Sequence, residues 1–415
     1  MIIATTDAPA VPRAHIAVLL VLGATHLLND LIQALIPAIY PIIKESYALD
    51  FVRIGIITLT FQIAGSLFQP LVGHYTDKHP MPYSTIIGMV FSFLGVVCLG
   101  LSNSYPLILA SVALIGIGSS IYHPEATRMA RYASANQQGL AQGIFQVGGQ
   151  IGAAVAPLLA AFIIVRNGQT SVAWFALLAL LGMILMGSIV RRNVAIREQF
   201  LAATAAKAKS ADGQPMHSPA VVWAGLIVLS VLMFSKVAYL ESFRSFYTFY
   251  LIDRFGVSIE TSQLMLFLLI MGAAAGVIVG GMIGDRIGRY AIIWLSILGP
   301  LPLALALPYV DLFWTGVLTV SINVLMGSAF AAIMIYAMEL VPNRIGLIGG
   351  VFYGLNFAMG GIAAAIIGGL SDHIGIEAAY KVCSFLPLAG LLTAFLPRIS
   401  DRRPQAVQVG AEGSA

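Results

Sequence analysis

The chain is dominated by twelve apolar blocks, each near the length that crosses a bilayer, separated by short turns of charge, glycine or proline. Six fall at about 14–43, 53–75, 82–102, 105–131, 139–165 and 172–191. After one long polar stretch at 192–218, six more follow at about 219–252, 258–284, 290–308, 311–340, 346–371 and 376–397. A hydrocarbon core about 30 Å thick is spanned by roughly 20 apolar residues in a helix. Inside it only helices and closed barrels satisfy their own backbones. The expectation is an all-α membrane protein of twelve transmembrane helices. Composition closes off a soluble alternative: only 10% of residues are charged and mean hydropathy is +0.91, against roughly 25% charged in a soluble domain. The net charge of +4 comes without a basic run, so no nucleic-acid partner is expected. Cys98 and Cys383 lie inside apolar blocks and form no disulfide or metal pattern. The first block carries His26, Asn29 and Asp30 and lacks a clear cleavage site, so it reads as a span and not a signal peptide.

Basic residues set the expected sidedness. With both termini cytoplasmic, fifteen of the 22 lysines and arginines lie inside and five outside (Lys44, Arg53, Arg166, Arg254 and Lys381), while Lys236 and Arg244 fall within a span. The positive-inside rule selects this orientation, which in a bacterium means a multi-pass inner-membrane protein. The chain also repeats itself. Gly73-x3-Asp77-Lys78 follows the second block, and Gly281-x3-Asp285-Arg286-x-Gly288-Arg289 follows the eighth, 208 positions later. Gly139-x3-Gly143-Ile-Phe145 opens the fifth block, and Gly346-x2-Gly349-Gly350-Val-Phe352 opens the eleventh at an offset of 207. Two matches at nearly one spacing indicate a six-plus-six duplication. The expected organisation is an N-terminal six-helix bundle (1–191), a cytoplasmic linker (192–218), a C-terminal bundle (219–397) and a cytoplasmic tail (398–415).

A G-x-x-x-D-[RK]-x-G-[RK] loop in both halves of a duplicated twelve-helix chain resembles the major facilitator superfamily. The first copy departs from the pattern at His79-Pro80, and the second is complete. The segments His26-Leu-Leu-Asn29-Asp30-Leu-Ile-Gln33, Ile57-Thr-Leu-Thr60-Phe-Gln62, Gln69-Pro70, Gly118-Ser-Ser120-Ile-Tyr-His123-Pro124-Glu125 and Phe145-Gln146-Val-Gly148-Gly149 are similar to the fosmidomycin resistance proteins within it. The loop Ala135-Asn136-Gln137-Gln138 lacks the glycine and basic residue of that pattern. The resemblance implies the major facilitator fold and proton-coupled drug export by a protein expected to be monomeric.

Ionisable residues within a membrane cost about 2.5–3.5 kcal/mol each on insertion scales, and so mark function by default. His26, Asp30, Gln33 and Pro37 recur at helical spacing as one polar stripe. Asp30 is the first candidate proton carrier, and His26 shares the proton or binds an anion. Structural pairing of the two is the bland alternative. Thr58, Gln62, Ser66 and Gln69, and likewise Gln142, Gln146 and Gln150, form polar faces that line a cavity or join helices. His123 is a candidate relay. Glu125 and Arg128, at i, i+3, read as a gate pair with Lys78. In the C-terminal half, Lys236 and Arg244 are candidate anion contacts, with Glu241 placed to neutralise Arg244 or to couple protons. A structural Lys236–Asp30 clamp across the halves is the alternative.

Tyr353 and Asn356 are further cavity candidates. The aromatic run from Phe243 to Tyr250 reads first as an interfacial belt and second as an outer gate. Gly73, Asp77, Lys78, Gly281, Asp285, Arg286 and Arg289, with Glu339, form the expected inner latch. Gly148-x3-Gly152-x3-Ala156-Pro157 resembles the antiporter signature of the superfamily. With no P-loop and no Cys/His ligand motif, neither an enzyme, a cofactor nor a metal is expected. The leading reading is a proton-coupled exporter of a small phosphonate-like drug. An importer or uniporter of a small metabolite anion is the alternative.

Overall fold

The computed structural model describes residues 15–79, 81–134, 138–207, 218–287, 289–328 and 345–396, together with 333, 336–337 and 340–341. Eleven helices among them are long and apolar enough to cross a membrane, and Leu312–Gly327 is a shorter apolar helix. In chain order the helices are α1 (Ile16–Ala38), α2 (Phe51–Lys78), α3 (Ser84–Leu101), α4 (Tyr105–Ala133), α5 (Gln138–Leu159) and α6 (Ala176–Lys207). The second set is α7 (Pro219–Phe255), α8 (Ile259–Ile287), α9 (Arg289–Ile297), α10 (Leu312–Gly327), α11 (Ile345–Ile374) and α12 (Ile376–Cys383). Each apolar block of the sequence contains one of them. The fold is the all-helical twelve-span architecture expected of the chain.

Local chemistry sets the departures from regular spans. Pro157 cannot donate to the carbonyl four residues back, and directly after it the helix widens into a π turn at Ala160–Ile164. α6 does not stop at the apolar edge near 191. It runs to Lys207, with Asn193 and Ile196 buried against the bundle and Arg191 and Arg192 exposed. α9 is continued by Leu301–Ala306 and the 3-10 turn Leu307–Tyr309, and α12 by the 3-10 segment Leu386–Phe395. α2 and α10 start on aspartate caps: Asp50 accepts from Arg53 N at 2.8 Å, and Asp311 from Trp314 N at 2.9 Å. α7 ends at Gly256, whose φ of +62° is left-handed.

The halves meet mainly along α2–α11 and α5–α8. At one end of α2–α11 the backbones nearly touch. A methyl group on Gly55 would lie 2.5 Å from the Ala364 carbonyl, and one on Gly368 would strike that of Phe51. The approach relaxes along the pair, to 3.0 Å between Gly361 and Leu59 and 3.9 Å between Gly354 and Ser66. The core follows the same gradient. Its largest apolar cluster mixes Ile32, Ile54 and Ile57 with Phe243, Phe246 and Ala364 from the other half. Two further clusters each stay within one half, around Leu22, Tyr122 and Phe145, and around Leu232, Ile293 and Phe352. The bundle is thus sealed at the end where α2 begins.

The aromatic run of α7 belongs to this seal and not to an interfacial belt. Phe243, Phe246, Tyr247 and Tyr250 are fully buried. Tyr250 stacks on Tyr380 at 4.2 Å, and Phe51 of α2 meets Phe246 and Phe249 edge-on at 6.2 and 5.3 Å.

Candidate functional site

The small residues of α5 position the site. A methyl group on Gly148 or Gly152 would run into the backbone carbonyl of Gly23 or Leu27, so α5 lies directly on α1. This contact lays Phe145 and Gly149 over the polar stripe of α1. Phe145 stacks on the His26 ring at 3.9 Å. A methyl group on Gly149 would come within 2.6 Å of Asp30 Oδ2 and 2.7 Å of His26 Nε2. Only glycine leaves room there for both side chains.

His26, Asp30 and His123 form one cluster. His26 Nδ1 lies 2.7 Å from the Phe145 carbonyl. His123 Nδ1 lies 3.0 Å from both the carbonyl and the hydroxyl of Ser119. A carbonyl only accepts, so each Nδ1 carries a proton and each Nε2 is left for the carboxylate. His26 Nε2 is 3.2 Å from Asp30 Oδ2, and His123 Nε2 is 3.2 Å from Oδ1. Each of these contacts is a hydrogen bond only when it holds a further proton. The cluster therefore accommodates up to two, and its charge runs from −1 with neither to +1 with both. The amides of Asn29 and Gln33 also donate to Oδ1, each at 3.2 Å, and Ser119 Oγ donates to Gln33 Oε1 at 3.2 Å. These ligand-type atoms all lie within 4.8 Å of one another. The sequence carries no metal motif for them because His123 comes from a different helix.

The C-terminal half contributes Lys236, 4% exposed, whose Nζ has no hydrogen-bond partner among the described residues. A structural clamp between Lys236 and Asp30 is not formed, because Asp30 spends its oxygens on the imidazoles and amides. Glu241 does not neutralise Arg244 either. Its Oε1 accepts from Ser245 Oγ at 2.5 Å, and its Oε2 accepts from Gln62 Nε2 at 3.1 Å across the halves. Thr58 joins this network through Ser245 (3.1 Å) and Tyr40 (2.6 Å). Arg244 is exposed and stands apart from both.

The remaining expected residues divide by location. Arg128 donates to Glu125 Oε1 at 3.4 Å, so the expected i, i+3 pair forms, and it also donates to Thr76 Oγ1 of α2 at 3.0 Å. Gln146 and Asn356 are half-buried on α5 and α11. Gly73, Asp77, Lys78, Gly281, Asp285, Arg286, Arg289 and Tyr353 lie on helical backbone with side chains outside the description, and Glu339 lies outside the described residues altogether.

Asp372 is a capping position that sequence reasoning missed. It accepts from Phe51 N at 2.8 Å and Val52 N at 2.7 Å, so α11 caps the start of α2 at the sealed end. A signal was present: Gly368-x3-Asp372-x2-Gly375 repeats the spacing of Gly281-x3-Asp285-x2-Gly288.

Known proteins agree with this architecture. The model of the Major Facilitator Superfamily matches residues 22–365. The chain is 50% identical over 385 residues to the fosmidomycin resistance protein of Escherichia coli (strain K12), covering 93% of this chain and 94% of that one. It is 39% identical over 387 residues to the uncharacterized MFS-type transporter YfnC of Bacillus subtilis (strain 168), covering 93% of each. Among solved structures, the xylose transporter XylE from E. coli, in a partially occluded inward open conformation, superposes with a TM-score of 0.72 at 13% identity, over 92% of this chain and 99% of that one. With its spans, its duplicated loops and these relatives taken together, the chain belongs to the major facilitator superfamily and is a multi-pass membrane transporter, not an enzyme.

Proposed function

We propose that the chain is a proton-coupled exporter of a small anionic drug of the phosphonate class, acting as a monomer by alternating access in the bacterial inner membrane. The observation that carries this reading is the division of charge between the halves. The N-terminal half holds the His26–Asp30–His123 cluster, and the C-terminal half holds a buried amine, Lys236, without a hydrogen-bond partner among the described residues. A buried unpaired cation costs several kcal/mol, and an anionic ligand offsets that cost with charge-assisted hydrogen bonds. Fosmidomycin is the first substrate to test, because a relative 50% identical over nearly the whole chain carries the name of resistance to it.

With both termini cytoplasmic, the sealed end is periplasmic, and the protein as described is closed outward. The two bundles, 1–191 and 219–397 joined by the linker 192–218, rock about the site. Asp30, His26 and His123 exchange protons. Lys236 binds the anion, with Gln33, Gln146, Tyr353 and Asn356 lining its path. Arg244, two turns from Lys236 toward the sealed end, serves as an outward-side contact for the anion. Glu241 and Gln62 join the halves near the site and separate when the outer end opens. At the inner end, Glu125 and Arg128 act with the loop residues around Asp77 and Asp285 and with Glu339 as the alternating latch. Protons and anion bias the same rocking of the two halves, so loading with either changes the affinity for the other.

A second reading, import of a metabolite anion together with protons, has one observation in its favour: the doubly protonated cluster is positive and attracts an anion. Drug susceptibility in a pump-deficient host separates the two. Wild type is expected to raise tolerance to fosmidomycin while Asp30→Asn does not. If wild type leaves tolerance unchanged or lowers it, export is wrong.

A further inference from the structure

Both imidazoles of the α1–α4 cluster are fixed by their Nδ1 atoms to backbone carbonyls, His26 to Phe145 at 2.7 Å and His123 to Ser119 at 3.0 Å. A hydrogen bond of this kind holds a metal-ligating histidine in one tautomer and turns its Nε2 towards the ion. Here the two Nε2 atoms and the Asp30 carboxylate converge, each Nε2 at 3.2 Å from an oxygen. Two ligands at about 2.0–2.1 Å from a tetrahedral zinc stand roughly 3.3 Å apart, so the spacing already approaches that of a coordination edge. Two imidazole nitrogens and one carboxylate suit zinc-class divalent ions and not the hard ions magnesium and calcium. Three protein ligands also leave a fourth position open.

We propose that His26, Asp30 and His123 bind a divalent transition ion of the zinc class in place of their exchangeable protons. The other polar groups facing the cluster are neutral: Asn29 and Gln33 from α1, Ser119 and Tyr122 from α4. α5 covers it with Phe145 and Gly149, which bring no charge. Among the described residues nothing charged in that shell competes with the ion. The proposal needs only this geometry, and neither the substrate nor the direction of transport enters it.

The test is calorimetric titration of Zn2+ into the purified full-length chain, carried without a polyhistidine tag, at pH 7.5 and at pH 5.5. One equivalent is expected to bind wild type at pH 7.5, with affinity at least tenfold weaker at pH 5.5 and Mg2+ giving no signal. His123→Gln and Asp30→Asn are each expected to weaken binding tenfold or more. His79→Gln, an exposed histidine beyond α2, is expected to leave it unchanged. X-ray absorption at the zinc edge of wild type supplies a readout independent of any variant's folding, with two imidazole ligands expected. Absence of saturable Zn2+ binding by wild type, retention of full affinity in both cluster variants, or an edge spectrum without imidazole scattering overturns the proposal. Binding is read without transport, so its failure leaves the exporter reading standing, and failure of export leaves the metal site standing.

Discussion

At the scale of single residues, two positions separate function from packing. Gly149 has no room for a methyl group beside Asp30 Oδ2 and His26 Nε2. Overpacking of this kind costs about 1–3 kcal/mol, and here the strain falls on the His26–Asp30 pair proposed to exchange protons. Gly149→Ala is expected to yield folded protein with at least tenfold less transport, measured as drug tolerance against membrane protein level. Unchanged transport would show that the cluster's geometry does not matter. Lys236→Met is expected to act in opposite directions on two properties. It removes a buried amine that has no hydrogen-bond partner among the described residues, so thermal stability should hold or rise by roughly a few degrees. Removing a charge-assisted contact worth about 1.5–3 kcal/mol should raise the KM for the anion by roughly ten- to a hundredfold. A fall in stability with KM unchanged would mean that Lys236 is structural. The stripe of His26, Asp30 and Gln33 was legible in the sequence because helical spacing alone puts these residues on one face. The join to His123 was not, because no local rule relates residues 97 positions apart. The expected Glu241–Arg244 pair failed for a related reason. Glu241 found two short neutral donors, Ser245 one turn on and Gln62 in the other half, and the long arginine was left to reach outward.

At the scale of helices, the sealed end is an arrangement of backbones. Asp372 satisfies the first two amides of α2, Asp50 satisfies the third offered by Arg53, and Gly55 and Gly368 let α2 and α11 touch. Loss of a helix cap costs about 1 kcal/mol, which shifts a two-state equilibrium roughly fivefold. Asp372→Ala is therefore expected to enlarge the population open at this end. Double electron–electron resonance between labels at Asn103 and Asp311, with Cys98 and Cys383 replaced by serine, should show a longer distance component. An unchanged distribution would show that Asp372 does not hold this end shut. The twelve blocks were readable because each had to satisfy its own backbone in lipid. Their ends were less so: α6 runs past the apolar edge to Lys207 because Asn193 and Ile196 still find the bundle. The aromatic run of α7 has the composition of a lipid-facing belt, and only its partners Tyr380 and Phe51 reveal a buried seal.

For the whole molecule, the duplication visible at offsets of 207 and 208 became two bundles joined tightly at one end, and the halves proved chemically unequal. One brings a carboxylate between two imidazoles, and the other brings Lys236, buried without a hydrogen-bond partner among the described residues. Opposed movement of protons and anion through that site is the central claim, and everted inner-membrane vesicles test it most directly. With the interior acidified by respiration, adding fosmidomycin outside should dissipate the pH gradient in vesicles carrying wild type, as protons leave in exchange for drug. Vesicles carrying Asp30→Asn should keep the gradient. No dissipation by wild type, or equal dissipation by Asp30→Asn, would contradict the account.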